Sequence, residues 1–221
     1  EHNQQSRKRV IVIEARGLRD VDCSPLIDCV PSRLRGSRDS VLMDFRQGPV
    51  DGEVVDPGVA LNRLLGLSEE LSRRVNSLDK RDVSIVYGGM APVPLTFLTG
   101  VLVDDENTIE VMDWDRHSAK WRDLSAIDRG QRFCIDPMPD TGSMQDDVAV
   151  AISVSYSVDK RSIGALVGSI PMVELRIEQL STDAHWSIET QRELGRQFLT
   201  TMIRLEELGV QQIHMFIAAP N

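Results

Sequence analysis

Apolar and polar positions along this chain follow two different periods. Runs that fit buried strands occur at Val10-Ile-Val-Ile-Glu-Ala-Arg16, Val41-Leu-Met-Asp-Phe45, Val83-Ser-Ile-Val-Tyr87 and Thr108 to Trp114. Further runs follow at Val148 to Tyr156, Met172 to Ile177 and Ile213 to Ile217. Between them lie segments with helical spacing. Asp56-Pro57 supplies an N-cap and a first-turn proline, and Leu61, Leu64, Leu65, Leu71, Val75 and Leu78 follow, which predicts a helix over about 59–78. Ser187 caps a second long helix reaching Leu208, with Leu194, Phe198, Met202 and Leu205 on one face and Gly209 as its stop. Segment 115–123 folds back as a hairpin ending near Trp121. Strands alternating with helices predict parallel sheets with helices packed outside.

The stretch Val83 to Leu102 organises the rest. It reads as a strand ending at Tyr87, a tight turn at Gly88-Gly89, and a short apolar helix with Pro94 at its first position. Such a turn gathers unpaired N–H groups and a positive dipole end, a place that can hold a phosphate. The glycines match neither standard phosphate-loop fingerprint. Part of the pattern recurs at Ile213-His-Met-Phe-Ile-Ala-Ala-Pro-Asn221, so the chain reads as a duplication. Residues 1–133 form the first half with an N-terminal extension, 134–147 a linker rich in proline and acid, and 148–221 a second half. The helix and strand that close the first half have no counterpart in the second, which reads as incomplete.

Composition narrows the function. With 221 residues, 41% of them hydrophobic, the chain can bury a substantial core. No apolar run approaches the ~18 residues of a membrane span, and nothing resembles a signal peptide. Starting at Glu1, the chain reads as a piece of a longer protein. Three cysteines without CxxC spacing fit a reducing cytoplasm. The formal net charge of −9 argues against broad DNA or RNA binding, yet leaves room for a small anionic ligand in a local positive pocket.

In open parallel sheets, ligands sit beyond the carboxyl ends of the strands. Two half-domains side by side would bring four turns together there. They are Arg46-Gln47-Gly48, Gly88-Gly89-Met90-Ala91-Pro92, Ser155-Tyr156-Ser157 and Ala218-Ala219-Pro220-Asn221. These positions offer a fixed cation, hydroxyls, an aromatic ring and backbone donors, which suit a small, multiply charged ligand with flat bases. A bulky residue at Gly89 is expected to abolish ligand binding and leave the fold intact. Trp186, ahead of the long helix, is a candidate for stacking on a base. Trp114 and Trp121 are expected to pack within their hairpin. His2, His117, His185 and His214 show no metal-ligand spacing, and His214 reads as a core or rim histidine. Ser155 and Ser157 lack a His–Asp partnership, so nucleophilic catalysis is not expected.

Taken together and in order, Val41-Leu-Met-Asp-Phe-Arg-Gln47, Val86-Tyr-Gly-Gly-Met-Ala-Pro-Val-Pro-Leu95, Ile109-Glu-Val-Met-Asp-Trp-Asp115 and Ile213 to Asn221 resemble the SAVED domain of bacterial anti-phage (CBASS-type) effector proteins. The resemblance covers about residue 40 to the end. It implies two fused CARF-like, Rossmann-like α/β half-domains that bind a cyclic di-, tri- or tetranucleotide. It also implies head-to-tail self-association on binding, which activates a fused effector such as an HNH or restriction-like nuclease, a TIR NADase or a Lon-type protease, a nuclease being the expected one. The fused effector domain is expected to be absent from this chain, and the segment itself is expected to be a sensor without catalysis or cofactor. The accompanying expectations are a cytoplasmic location, no membrane contact and no direct DNA binding. The alternative is a Rossmann-type nucleotide-processing enzyme, such as a ring nuclease that degrades a cyclic oligonucleotide.

Overall fold

In a computed structural model, residues 8–17, 25–46, 56–75, 82–103, 108–128, 130–136 and 146–219 are described. The chain divides into two units, Glu1–Asp123 and Leu124–Pro220.

The first unit is built on β1 (Arg9–Arg16), whose Val10, Ile11, Val12 and Ile13 have no solvent exposure. A strand apolar on both faces must be central, and β1 pairs in parallel with both β2 (Ser37–Asp44) and β3 (Val83–Met90). β4 (Thr108–Asp115) extends the sheet in parallel, and β5 (Lys120–Asp123) closes it antiparallel, giving the order β2-β1-β3-β4-β5. One face packs Ile11, Ile13 and Ala15 against Ala60, Leu64, Leu67 and Leu71 of α2 (Pro57–Val75) and Val103 of α3 (Val93–Val103). The other packs Val10, Val12 and Val86 against Leu26 of the short α1 (Leu26–Cys29), Met112 and Trp121. Each fully buried aliphatic side chain stabilises the fold by about 1.5–3 kcal/mol relative to exposure.

The second unit repeats the plan. β7 (Asp147–Ser153) lies between β8 (Met172–Ile177) and β9 (Gln212–Ala218), all parallel, as β1 lies between β2 and β3. Val148, Val150 and Ile152 face Leu205 of α5 (Ile188–Glu207), while Ala149 and Ala151 face Ile163 of α4 (Lys160–Val167). The expected fold class, two Rossmann-like halves with mainly parallel sheets, is what the structure has.

Several boundaries differ from expectation. β6 (Phe133–Asp136) pairs antiparallel with β8, so the segment assigned to a linker over 134–147 begins as a strand of the second sheet. α4 is an element beyond those the sequence pattern predicts. Asp159 caps it, accepting the Arg161 N–H at 3.0 Å and the Ser162 hydroxyl at 2.6 Å. The buried face of α2 runs through Ala60, Leu64, Leu67 and Leu71, leaving Leu61 and Leu65 exposed, and Leu78 lies outside the described residues. α5 matches the expected span: the Ser187 hydroxyl accepts the Thr190 N–H at 3.3 Å, and Gly209 turns out of the helix at φ 83°.

Candidate functional site

Gly88 and Gly89 do not form a turn. They are the sixth and seventh residues of β3, paired with Glu14 and Ala15 of β1, and Gly88 also pairs with Met112 of β4. A Cβ on Gly89 would lie 2.6 Å from the Ala15 Cβ, and one on Gly88 would lie 2.9 Å from the Met112 carbonyl oxygen. Close strand approach, not backbone reversal, therefore requires glycine here. The chain turns instead at Ala91-Pro92, and α3 starts with the Leu95 and Thr96 N–H groups donating to the Pro92 carbonyl at 2.9 and 3.1 Å. Pro94 accordingly occupies the second helical position. Gly17, which closes β1, makes room for this turn, since a Cβ there would meet Pro92 Cδ at 2.8 Å. Met90, Ala91 and Pro92 thus stand with Gly17 at the carboxyl edge of the first sheet.

Arg46 stands at the same edge, just beyond β2. Its Nε and Nη2 donate to the two Asp44 carboxylate oxygens at 2.9 and 2.7 Å. Residues two apart on an extended chain share a side, which explains the pairing. Hydrogen bonding by the Arg46 side chain holds the Asp44 carboxyl below its ordinary range, helped by the nearby charge of Arg16. Gln47 lies outside the described residues.

In the second unit, Ser155, Tyr156 and Ser157 follow the end of β7. Ser155 is buried and its N–H donates to the Ala218 carbonyl at 2.9 Å, while Tyr156 is 64% exposed. Ala219 follows the end of β9 at the same edge, and Pro220 and Asn221 lie outside the described residues. Trp186 differs from expectation. It is only 8% exposed, its Nε1 donates to Asp183 at 3.3 Å, and its ring lies 4.3 Å from that of His185. The indole is thus committed to the interior, which leaves little of its face for a base. Trp114 and Trp121 pack edge to face across the β4–β5 hairpin at 5.6 Å, as expected. His214 sits at the rim of its sheet, 3.5 Å from Asp147.

Below the Ser155–Ser157 turn lies a polar network that the sequence did not reveal. Glu174 of β8, 8% exposed, accepts the Ser153 hydroxyl at 2.8 Å and pairs with Lys160 at 2.9 Å. The same Ser153 oxygen accepts the Val158 N–H at 3.1 Å, which fixes the turn to the sheet. Burial pushes the Glu174 carboxyl up, but the hydrogen bonds from Lys160 and Ser153 and the charges of Lys160 and Arg176 outweigh it, and the net shift is downward. A carboxyl lowered by folding adds stability above its unfolded pKa and loses it as pH falls through the folded value. Wild-type melting temperature is therefore expected to fall more steeply than that of Glu174→Gln as the pH drops below about 4. Parallel curves for the two proteins would mean that the pair adds no pH-dependent stability. Among the described residues, no group of three or more His, Cys, Asp or Glu is placed to hold a metal ion.

Residues 67–221 match the family model described as the SMODS-associated and fused to various effectors sensor domain, SAVED. Residues 1–61 match that of the SAVED-fused 2TM effector domain. No curated protein matches the chain. Among solved structures, it is similar to the Acinetobacter baumannii Cap4 SAVED/CARF-domain containing receptor with the cyclic trinucleotide 2'3'3'-cAAA, at TM-score 0.58 and 14% identity over 99% of this chain and 45% of that one. The same receptor with 3'3'3'-cAAA aligns at TM-score 0.56, with 14% identity over the same shares. The chain thus spans less than half the length of these receptors, and at this identity the likeness is one of fold. The match of residues 1–61 to a 2TM effector domain overturns two expectations, that the effector domain is absent from this chain and that the protein is cytoplasmic without membrane contact, because it points to membrane association. No helix among the described residues is itself long and apolar enough to cross a membrane.

Proposed function

The chain belongs to the SAVED family of effector-fused sensor domains, and from that premise we propose that it senses a cyclic oligonucleotide, most closely a cyclic trinucleotide, without chemistry of its own. The observation that carries this reading is the SAVED match over residues 67–221. The fold it shares with a receptor that takes cyclic trinucleotides supports it further. Each sheet directs the carboxyl ends of its parallel strands to one edge, where such folds take ligands. In the first unit that edge offers Arg46 and the Gly88 to Pro92 segment, with the extended glycines bringing bare backbone close to the turn. In the second it offers Ser155, Tyr156, Ser157 and Ala219, and the exposed Tyr156 ring is the better stacking surface there than Trp186. Gln47, Pro220 and Asn221 complete the proposed set.

A sensor must pass binding on through geometry, so the ligand has to favour one arrangement over another. We read that arrangement as head-to-tail self-association, a heterologous contact that can extend. The effector named by the match is of the 2TM type, which we place ahead of a nuclease. The protein is expected to be a monomer or small oligomer alone and to grow in mass with ligand, as light scattering reads directly. Tight binding without a change in mass would replace assembly by closure within one subunit. Chromatography of the ligand after incubation separates the sensor from a ring nuclease, since linear products accumulating with time would favour the enzyme.

A further inference from the structure

The carboxyl ends of β1 and β2 gather more cations than Arg46. Arg16, the last residue of β1, pairs in register with Asp44, the last of β2. Arg46 grips both carboxylate oxygens of Asp44, and Arg63 reaches from α2 to donate its Nη1 to the Asp44 carbonyl. Glu14 holds Arg16 from the other side, with its Oε1 2.6 Å from Nη2. The other Glu14 oxygen accepts the Leu26 N–H at 3.2 Å in a buried setting, so this carboxylate is anchored to α1. Asp44 has no such anchor to a distant backbone group among its described contacts, and its side chain is 38% exposed. Among the described residues, three guanidiniums therefore stand with two carboxylates at this edge, and Asp44, held locally by the Arg46 N–H at 3.1 Å and the Arg46 guanidinium, is the more exposed of the two.

We infer that Arg16, Arg46 and Arg63 form a phosphate clamp in which the Asp44 carboxylate occupies the anion's place until a phosphate group displaces it. A carboxylate and a phosphate present the same paired oxygens to a guanidinium fork, so one substitutes for the other without rebuilding the site. The position, beyond the carboxyl ends of parallel strands, is the ligand side of such sheets. The inference rests on the proposed function in one respect: the natural anion is then a phosphodiester of the cyclic oligonucleotide. It extends that reading to Arg16 and Arg63, and it makes Asp44 a competitor of the ligand.

A structural ion pair and a displaceable one predict opposite signs. In the full chain, inorganic pyrophosphate is the probe, read by calorimetry and by thermal shift. Wild type is expected to bind it. Asp44→Asn keeps the side-chain shape but removes the competing charge, so pyrophosphate should bind about tenfold tighter, equivalent to one charge-assisted hydrogen bond. Arg63→Ala should bind about tenfold weaker, with a melting temperature unchanged in the absence of pyrophosphate, because Arg63 is exposed. No binding by wild type, or equal or weaker binding by Asp44→Asn, would overturn the clamp. The same titrations with 3'3'3'-cyclic triadenylate and other cyclic oligonucleotides keep the two ideas apart. Pyrophosphate binding as expected with no cyclic oligonucleotide bound would leave the clamp standing and remove the sensor reading. A bound cyclic oligonucleotide whose affinity is indifferent to Asp44→Asn would do the reverse.

Discussion

Replacing Gly89 by glutamine is expected to destabilise the first unit by about 3 kcal/mol, the upper end of the usual overpacking cost. Gly89 lies opposite Ala15 in the register of two paired strands, and an added Cβ would sit 2.6 Å from the Ala15 Cβ and 2.9 Å from its carbonyl carbon. β1 is apolar and buried on both faces and hydrogen-bonded along both edges, so it cannot move aside cheaply. Ligand binding lost in this variant would then report a damaged sheet, contrary to the expectation from sequence that the fold would survive. Gly66 provides the opposite sign. It lies in α2 with nothing within 4 Å of an added Cβ, so Gly66→Ala should stabilise by up to about 1 kcal/mol. Urea unfolding measures both. A Gly89→Gln protein with wild-type stability would show that the strands are not held that close.

The second large effect is expected at Trp186. Truncation to alanine removes a large buried side chain packed on His185 and should cost about 3–5 kcal/mol. A base-stacking residue would behave in the opposite way, losing affinity and keeping its melting temperature. Denaturant midpoints and ligand titration at a temperature where the variant is folded separate the two. Affinity lost with an unchanged midpoint would return Trp186 to the ligand.

The elements most legible from sequence were those with both a period and explicit ends. Ser187, the Leu194-Phe198-Met202-Leu205 face and Gly209 fixed α5 closely, because cap, stripe and stop all agree. The sequence pattern ends β3 too early, because glycine pairs usually mark turns, whereas here they are extended and owe their identity to the neighbouring strand, which lies far away along the chain. α4 has little signal in the sequence because it is 8 residues long and carries Gly164 in its interior, although Asp159 and Gly168 mark its two ends. β6 was hidden within a stretch whose prolines and acids suggest a linker. At the candidate site, Arg46 is legible as a cation after a strand, whereas its pairing with Asp44 shows only once the backbone between them is known to be extended. Arg63 and the Ser153–Glu174–Lys160 network could not be read, since each joins residues from separate elements. Membrane association follows from the 2TM match and has no counterpart in the apolar runs of this chain.

The central claim is that this chain binds a cyclic oligonucleotide, and thermal unfolding of the full chain against a panel of cyclic di-, tri- and tetranucleotides tests it most directly. A ligand that binds only the folded state, present at a hundred times its dissociation constant, stabilises that state by about 2.7 kcal/mol. At least one cyclic oligonucleotide, with a cyclic trinucleotide foremost, is expected to raise the unfolding temperature in proportion to the logarithm of its concentration, while linear counterparts do so far less. An unfolding temperature unmoved by every member of the panel at millimolar concentration would contradict the account.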